Sequence, residues 1–298
     1  MEQKRSLTGH YCLRAAILTG FAMYILYLVK SDNILYYIAP RNIIYVKLSA
    51  IGFYAIAVYQ IFLAINSYMG RKVDCECDHP PSRSIIRNTA AYSLFILPLL
   101  LGFLLPNSAM GSALAAKRGV NLSSSLTSSN SVTLNKPSVI PTAAEIDPKL
   151  KALFKSDKYD EGFAQLGMKL YKKDLIQVKE EGFIETLTSL DMFMNNFIGK
   201  KIEISGFVYR EDDMQDNQFV VARFSIQCCT ADGSPFGMMV KFDQGQKLAK
   251  DTWVKITGTI NKSTYRGNEI MTLVADKVEK TTPAKSQYVY PNYDYVGD

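Results

Sequence analysis

The stretches KIEISGFVYR at residues 201–210 and QFVVARFSIQCC at 218–229 decide the fold of the second half of the chain. Apolar and polar side chains alternate along both, which is the period of a β-strand. Three further segments, at 236–242, 252–260 and 270–280, have the same character and are separated by turn-rich sequence. Five short strands with such turns favour a small antiparallel β-barrel of OB type, with a small antiparallel sandwich as the alternative.

The first third of the chain contains three apolar runs, at residues 15–29, 48–65 and 89–105. Each is close to the roughly 20 residues that cross a bilayer as a helix. The charged start resembles that of a signal peptide, but more apolar runs follow it and no small-residue cleavage site does. The sequence therefore predicts a multi-pass protein of the cell membrane, with about three transmembrane helices in the lipid bilayer.

The predicted fold class is α+β, with the transmembrane helices in front of the β-rich domain. We assign residues 1–119 to the membrane domain and 120–145 to a linker, because this part is rich in Ser and Thr and can bury little apolar surface. A soluble α+β domain at 146–282 and a tail at 283–298 follow. An amphipathic helix ahead of the first strand is predicted by apolar residues at helical spacing: Phe183, Leu187, Leu190, Met194 and Phe197.

The membrane orientation follows from the basic residues that flank the apolar runs. Seven of them fall on the side of the N-terminus and five on the other, which places the N-terminus in the cytoplasm and the β-rich domain outside it. The seven are Lys4, Arg5, Arg14, Arg71, Lys72, Arg83 and Arg87, and the five are Lys30, Arg41, Lys47, Lys117 and Arg118.

The first candidate site is DCECDH at residues 74–79, which the following prolines keep from forming a helix. In an extended chain Cys75, Cys77 and His79 share one face, and thiolates with imidazole suit Zn²⁺ or Cu⁺. A fourth ligand would be a carboxylate, for which Asp78 is the candidate, or water or a second copy. The alternative is a solvated loop with two thiols.

The second candidate site is Cys228 and Cys229, with Asp232 just beyond them. Alternation predicts that Cys228 faces the core together with Val220, Ala222, Phe224 and Ile226, and that Cys229 faces the polar side. A disulfide between neighbours on opposite faces is not expected. Cys228 is then a small buried hydrophobe, whereas Cys229 with Asp232 is a candidate half of a metal or thiol site.

Two function classes are not predicted. The soluble domain contains no His, no phosphate-binding loop and no pair of nucleophile and base, so we do not expect an enzyme. Residues 200–280 carry twelve basic and eleven acidic side chains. This near balance does not provide the basic surface that nucleic-acid binding needs, so we do not expect a nucleic-acid-binding protein.

Several motifs together resemble the YcgQ-like family of bacterial membrane proteins, which are described as permease subunits. The CCTAD element at 228–232, beside GFVY, is the most specific of them. The others are YIAPR at 37–41, the DCECDH loop, and the segments 92–106, 199–212, 223–237 and 251–260, with YVYP near the C-terminus.

The resemblance implies an accessory subunit of a two-component permease, whose partner is a multi-span permease of the YcgR type, and a link to zinc homeostasis. Relatives often carry a histidine-rich loop, whereas His79 is the only histidine of the loop here. The alternative function is a stand-alone, membrane-tethered metal- or thiol-binding protein that acts as a metallochaperone or sensor.

Overall fold

A computed structural model places most of the chain in two units, Met1–Ser108 and Ala109–Asp298. We describe each unit by itself. The structure describes residues 2–69, 84–106, 110–120, 122, 148–157, 160–292 and 294–297.

The first unit consists of α1 (Glu2–Lys30), α2 (Ile43–Tyr68) and α3 (Ile85–Leu104), with two short 3-10 turns between α1 and α2. Among the described residues, three segments are long and apolar enough to cross a membrane: Thr8–Lys30 within α1, of 23 residues, Pro40–Tyr68, of 29 residues, which joins α2 to the 3-10 turn before it, and Ile86–Leu104 within α3, of 19 residues. Pro98 lies inside α3 without ending it, as membrane helices tolerate. The prediction of three apolar N-terminal helices is confirmed.

Small side chains lie where α1 and α2 pack against each other. Ala15 and Ala22 of α1 are buried, as are Ala50, Ala57 and Ala64 of α2. The alanines of each helix recur every seven residues, so they stay on one side of it. Small residues at this spacing let two helix backbones approach closely, which stabilises helix pairs in a membrane.

Glycines serve the same purpose between α1 and α3. A Cβ atom on Gly20 would lie 2.7 Å from Cδ2 of Leu99, and one on Gly102 would lie 2.8 Å from Cζ of Tyr24. A Cβ atom on Gly52 of α2 would meet no described atom within 4 Å. Gly20 and Gly102 thus permit close packing of α1 against α3, whereas Gly52 has no described neighbour at the position of a Cβ atom.

Among the described residues of the second unit, five helices lie ahead of residue 200. The apolar stripe predicted as one helix is divided between the last two of them, and its members Phe183, Leu187, Leu190 and Phe197 are buried. The five are α4 (Ser112–Arg118), α5 (Pro148–Leu153), α6 (Glu161–Tyr171), α7 (Phe183–Met192) and α8 (Met194–Phe197).

Helix α4 packs with the second unit although it follows α3 closely in sequence. The backbone N–H of Ser112 donates to Oδ1 of Asp251 at 2.6 Å, and its hydroxyl donates to Oδ2 at 2.7 Å. Ala115 is fully buried. In sequence, the Ser/Thr-rich segment therefore connects α4 to α5, and both helices belong to the second unit.

Among the described residues, seven strands form the sheet of the second unit. Each of the five predicted strands is present, and one short strand precedes them in the chain and another follows them. The strands are β1 (Leu175–Gln177), β2 (Lys201–Tyr209), β3 (Gln218–Ser225), β4 (Ser234–Lys241), β5 (Trp253–Tyr265), β6 (Asn268–Lys280) and β7 (Tyr288–Val289).

The strand order is β1-β2-β5-β6-β4-β3-β7, and β2 also pairs with β3. The order β2-β5-β6-β4-β3 therefore returns to β2, and each of these strands has a neighbour on both sides. β4 pairs with β6 in parallel, as β1 does with β2 and β3 with β7. The sheet is mixed, so the prediction of an antiparallel sheet is wrong at these three pairings.

Both faces of β3 are buried. Phe219 and Val221 belong to the main core, which α6, α7 and the other strands share. Phe224 lies on the opposite face, where its ring stacks on Phe207 at 5.5 Å and contacts the edge of Tyr288 at 6.5 Å. The predicted core face of β3 is therefore the face covered by the tail, and the main core takes the alternate residues.

The C-terminal tail packs on the second unit. β7 extends the sheet beside β3, and Asn292 bonds to α7 because its backbone N–H donates to Oε1 of Glu185 at 2.7 Å. A Cβ atom on Gly182 would lie 2.1 Å from the ring of Tyr295. The segment predicted as a tail is thus part of the folded unit.

Strand contacts predict the effect of a methyl group at Gly237. A Cβ atom there would lie 2.1 Å from the backbone oxygen of Val221, a group that cannot move away without disturbing β3. We expect Gly237→Ala to lower the free energy of unfolding by about 3 kcal/mol. Chemical denaturation of the full chain in detergent measures it, with Ser234→Ala on the same strand as the control. Equal stability of the two variants would contradict this close approach.

Glu185 predicts a pH dependence of stability. Its carboxyl group is buried, and Oε2 has no hydrogen-bonding partner among the described residues. Burial raises the pKa of Glu185 to about 7, against the opposing effect of the hydrogen bond from Asn292. Between the ordinary value of 4.5 and about 7, the folded state binds more protons than the unfolded state.

Stability should therefore fall as pH rises through this window, by up to about 3 kcal/mol. Glu185→Gln mimics the protonated group and should flatten the slope of denaturation midpoint against pH between pH 4.5 and 7. Glu181→Gln, at an exposed neighbouring position, is the matched control. An unchanged slope in Glu185→Gln would show that another group titrates.

Candidate functional site

The two sites predicted from sequence differ in what the structure describes. Cys75, Cys77, Asp78 and His79 lie in the gap between residues 69 and 84, outside the described residues. The second site is described in full. Its three side chains, Cys228, Cys229 and Asp232, are named the CC cluster below.

The CC cluster lies in the connection between β3 and β4. β3 ends at Ser225, four residues earlier than predicted, and a 3-10 turn at Thr230–Asp232 leads into β4. The backbone N–H of Ile226 still donates to the carbonyl of Val289 in the tail, at 3.0 Å. The chain therefore leaves the sheet just before the two cysteines.

Asp232 holds this connection in place through its carboxylate. Oδ1 accepts the backbone N–H of Gln227 at 2.9 Å, and Oδ2 accepts those of Cys228 and Cys229 at 2.7 and 3.3 Å. Burial opposes ionisation, but hydrogen bonds from the Cys228 thiol and the three N–H groups lower the pKa of Asp232. The side chain is therefore an anion that fixes the backbone of both cysteines.

The two thiols lie side by side. Cys228 is exposed, Cys229 is half-buried, and their Sγ atoms are 3.6 Å apart, against about 2.05 Å in a disulfide. The prediction that Cys228 faces the core is wrong, because β3 has ended and alternation no longer sets its direction. Hydrogen bonds to Asp232 and Cys229 raise the pKa of the Cys228 thiol to about 12.

The geometry of the arrangement suits binding of a cation. The two Sγ atoms and a carboxylate oxygen all lie within 4.8 Å of one another. The raised pKa keeps the Cys228 thiol protonated at neutral pH, which disfavours nucleophilic attack, and a metal ion would have to displace this proton. Thiolates favour soft or borderline cations.

The surroundings of the CC cluster include residues that sequence reasoning missed. Met110 packs against Gly233, because a Cβ atom placed on Gly233 would lie 2.5 Å from Cε of Met110. The backbone N–H of Met110 donates to the hydroxyl of Tyr288 at 3.0 Å. These contacts join segments more than 100 residues apart, so no local pattern indicated them.

Arg223 lies an even number of residues from Cys229, for which alternation predicts the polar face, but its side chain is buried. Its guanidinium donates to the carbonyl of Ser286 and lies 3.6 Å from the carboxylate of Glu180. Its cationic group also lies over the rings of Phe183 and Trp253, at 5.7 and 5.6 Å. Burial lowers the pKa of Arg223, against the opposing effect of Glu180. Arg223 thus joins β3 to the tail.

These contacts predict a contrast between the members of the CC cluster. Asp232→Ala removes the acceptor of three N–H groups and should lower the free energy of unfolding by about 1–2 kcal/mol. Cys228→Ser, at an exposed position, should change it by less than about 0.5 kcal/mol. Chemical denaturation of both variants measures these changes. A larger loss of unfolding free energy in Cys228→Ser than in Asp232→Ala would indicate that Cys228 is buried, as the sequence predicted.

Two family models match the chain in succession. The DUF1980 N-terminal domain matches residues 13–121, and the DUF1980 C-terminal domain matches residues 153–291. The first match takes in the three helices, and the second takes in the strands and the CC cluster.

Two curated relatives agree with these matches. The UPF0703 protein YcgQ of Bacillus subtilis (strain 168) is 25% identical over 269 residues, which cover 85% of this chain and 89% of that protein. A Streptococcus mutans serotype c protein, whose name describes a subunit of a two-component membrane permease complex, is 22% identical over 200 residues, covering 66% of this chain and 72% of that protein. The resemblance indicated by the motifs is confirmed, and the chain belongs to the YcgQ-like family of DUF1980 proteins.

Proposed function

We propose that the chain is the accessory subunit of a two-component permease, that it crosses the membrane three times, and that its β-rich unit lies outside the cytoplasm. The three membrane segments carry this proposal. No acidic residue occurs in Thr8–Lys30, Pro40–Tyr68 or Ile86–Leu104. Acidic groups inside the membrane commonly mark the path of a transported ion, so a transport path formed by these helices alone is not supported.

The surface of the helices supports a partner within the membrane. The apolar window of α3 has no buried residue, and Leu94 and Leu104 are 72% and 76% exposed. Gly52 of α2 is also open, and a small residue on an outer face lets another helix approach closely. The surface of α3 and the position of Gly52 thus leave room for the helices of a larger permease.

The named relative supports the same role, since the Streptococcus mutans protein is described as one subunit of a two-component complex. The motifs point to a permease of the YcgR type as the partner. A binding role rather than catalysis fits a chain in which hydrogen bonds to Asp232 and Cys229 keep the Cys228 thiol protonated.

The ring of strands supports an OB-type barrel in the second unit. Five strands pair in the order β2-β5-β6-β4-β3 and return to β2, and the β4–β6 pair is parallel. Closure protects the backbone groups on both sides of β2. Amide hydrogen exchange checks this, because rates typical of a sheet edge along β3 opposite β2 would contradict closure.

The CC cluster favours a second candidate function, a stand-alone, membrane-tethered metal- or thiol-binding protein that acts as a metallochaperone or sensor. The loop with Cys75, Cys77, Asp78 and His79 belongs to the same proposal, with Zn²⁺ or Cu⁺ as the ion. The two functions differ in their need for a partner, because a stand-alone protein should retain its deletion phenotype in a strain without the permease.

The permease partner predicts a complex that survives mild detergent. Co-purification with the YcgR-type permease, followed by mass measurement by light scattering, should show both chains in one particle. Gly52→Leu places a branched side chain on the open face and should weaken retention of the permease, whereas Ile51→Leu, which conserves volume, should not. Co-purification that yields a homo-oligomer of this chain without the permease would contradict the proposal.

The proposed orientation predicts which cysteines a membrane-impermeant maleimide reaches in intact cells. Asp212→Cys, at an exposed turn of the second unit in a chain without other cysteines, should react. A chain with Cys75 as its only cysteine should react after lysis alone. The native Cys228 is a poor reporter because its raised pKa leaves little thiolate. The reverse pattern would place the β-rich unit in the cytoplasm.

A further inference from the structure

We propose that the CC cluster binds one Zn²⁺ ion through the sulfurs of Cys228 and Cys229 and a carboxylate oxygen of Asp232, with a fourth position open. This inference rests on the second candidate function, that of a metal-binding protein, and it does not depend on the permease partner.

The distance between the sulfurs favours this ion. A tetrahedral Zn²⁺ with Zn–S bonds of about 2.3 Å holds two sulfurs about 3.8 Å apart. The Sγ atoms of Cys228 and Cys229 are 3.6 Å apart, so little movement is needed. A two-coordinate Cu⁺ ion would need its sulfurs on opposite sides and therefore further apart.

The carboxylate of Asp232 retains capacity for a metal ion. A carboxylate has about four lone-pair sites, and those of Asp232 receive two N–H groups at Oδ2, one at Oδ1 and a hydrogen bond from the Cys228 thiol. A metal ion that replaces the thiol proton would take the site that the thiol uses. The three N–H bonds also hold the side chain in place, as supporting hydrogen bonds do in metal centres.

The distances among the donor atoms point the same way. The Sγ atoms of Cys228 and Cys229 and a carboxylate oxygen of Asp232 lie within 4.8 Å of one another, so one ion can reach all three. A divalent cation replaces the thiol protons when it binds.

The open position and the exposure indicate an exchangeable ion. Structural Zn²⁺ sites are closed by four protein ligands, whereas three ligands leave room for water or for a ligand from another molecule. Cys228 is exposed, and the backbone beneath it is fixed by Asp232 and by the tail. Such a site can accept an ion and release it.

The test uses the full chain in detergent, with Cys75 and Cys77 replaced by Ser and His79 by Ala so that the loop binds no metal. Zn²⁺ alone is the probe, and its affinity is measured by competition with a chromophoric chelator. We expect one ion per chain, and a loss of affinity of about 100-fold or more in Cys228→Ser with Cys229→Ser. Cys12→Ser is the matched control, and its affinity should not change.

Co²⁺ provides a second readout, since the bound ion should show sulfur-to-metal charge-transfer absorption that disappears without the two thiols. Asp232→Asn retains an oxygen acceptor for the N–H groups and should weaken binding by about tenfold. Unchanged Zn²⁺ affinity without both thiols, or binding of Cu⁺ but not of Zn²⁺, would overturn the proposal. Neither result would bear on the complex with the permease, which is measured separately.

Discussion

Simultaneous pairing of β2 with β5 and with β3 is the constraint on which the second unit depends. At Phe207 the strand faces Trp253 of β5 on one side and Ala222 of β3 on the other. The double pairing satisfies the backbone groups of β2 there and leaves it no open edge at this point. It also demands close backbone contact, because a Cβ atom on Gly206 would lie 2.5 Å from the oxygen of Ala222.

These strand pairings also fix the backbone that leads into the CC cluster. β3 is held by β2 on one side and by β4 on the other, and β7 lies alongside its end. The carboxylate of Asp232 then accepts the backbone N–H groups of residues 227–229, which connects the segment after β3 to the 3-10 turn. The cluster therefore combines exposed sulfur atoms with a fixed backbone, a combination that favours a preformed binding site.

Local patterns indicated the elements of the fold but not all of their faces. Alternation along 201–210 and 218–229 predicted β2 and β3, because the strand period is visible in a few residues. It identified one of the two buried faces of β3 and missed the face of Phe219 and Val221, which belongs to the main core. The predicted face is buried because Phe224 packs against Tyr288 of the tail, 64 residues away in sequence.

The candidate site shows the same limit. The residue types of the CC cluster were evident, and the structure brings the donor atoms of Cys228, Cys229 and Asp232 together. The direction of Cys228 was not evident, because it depends on β3 ending at Ser225 and on three hydrogen bonds to Asp232. Cation binding is thus predicted by composition, whereas the geometry required the structure.

The attachment of α4 changes the meaning of the Ser/Thr-rich segment. Because Asp251 holds Ser112 in the second unit, the covalent connection from α3 is residues 105–111 rather than 120–145. The two helices that flank the Ser/Thr-rich segment both belong to the second unit, so in sequence this segment joins two parts of that unit and does not lead to it from the membrane helices.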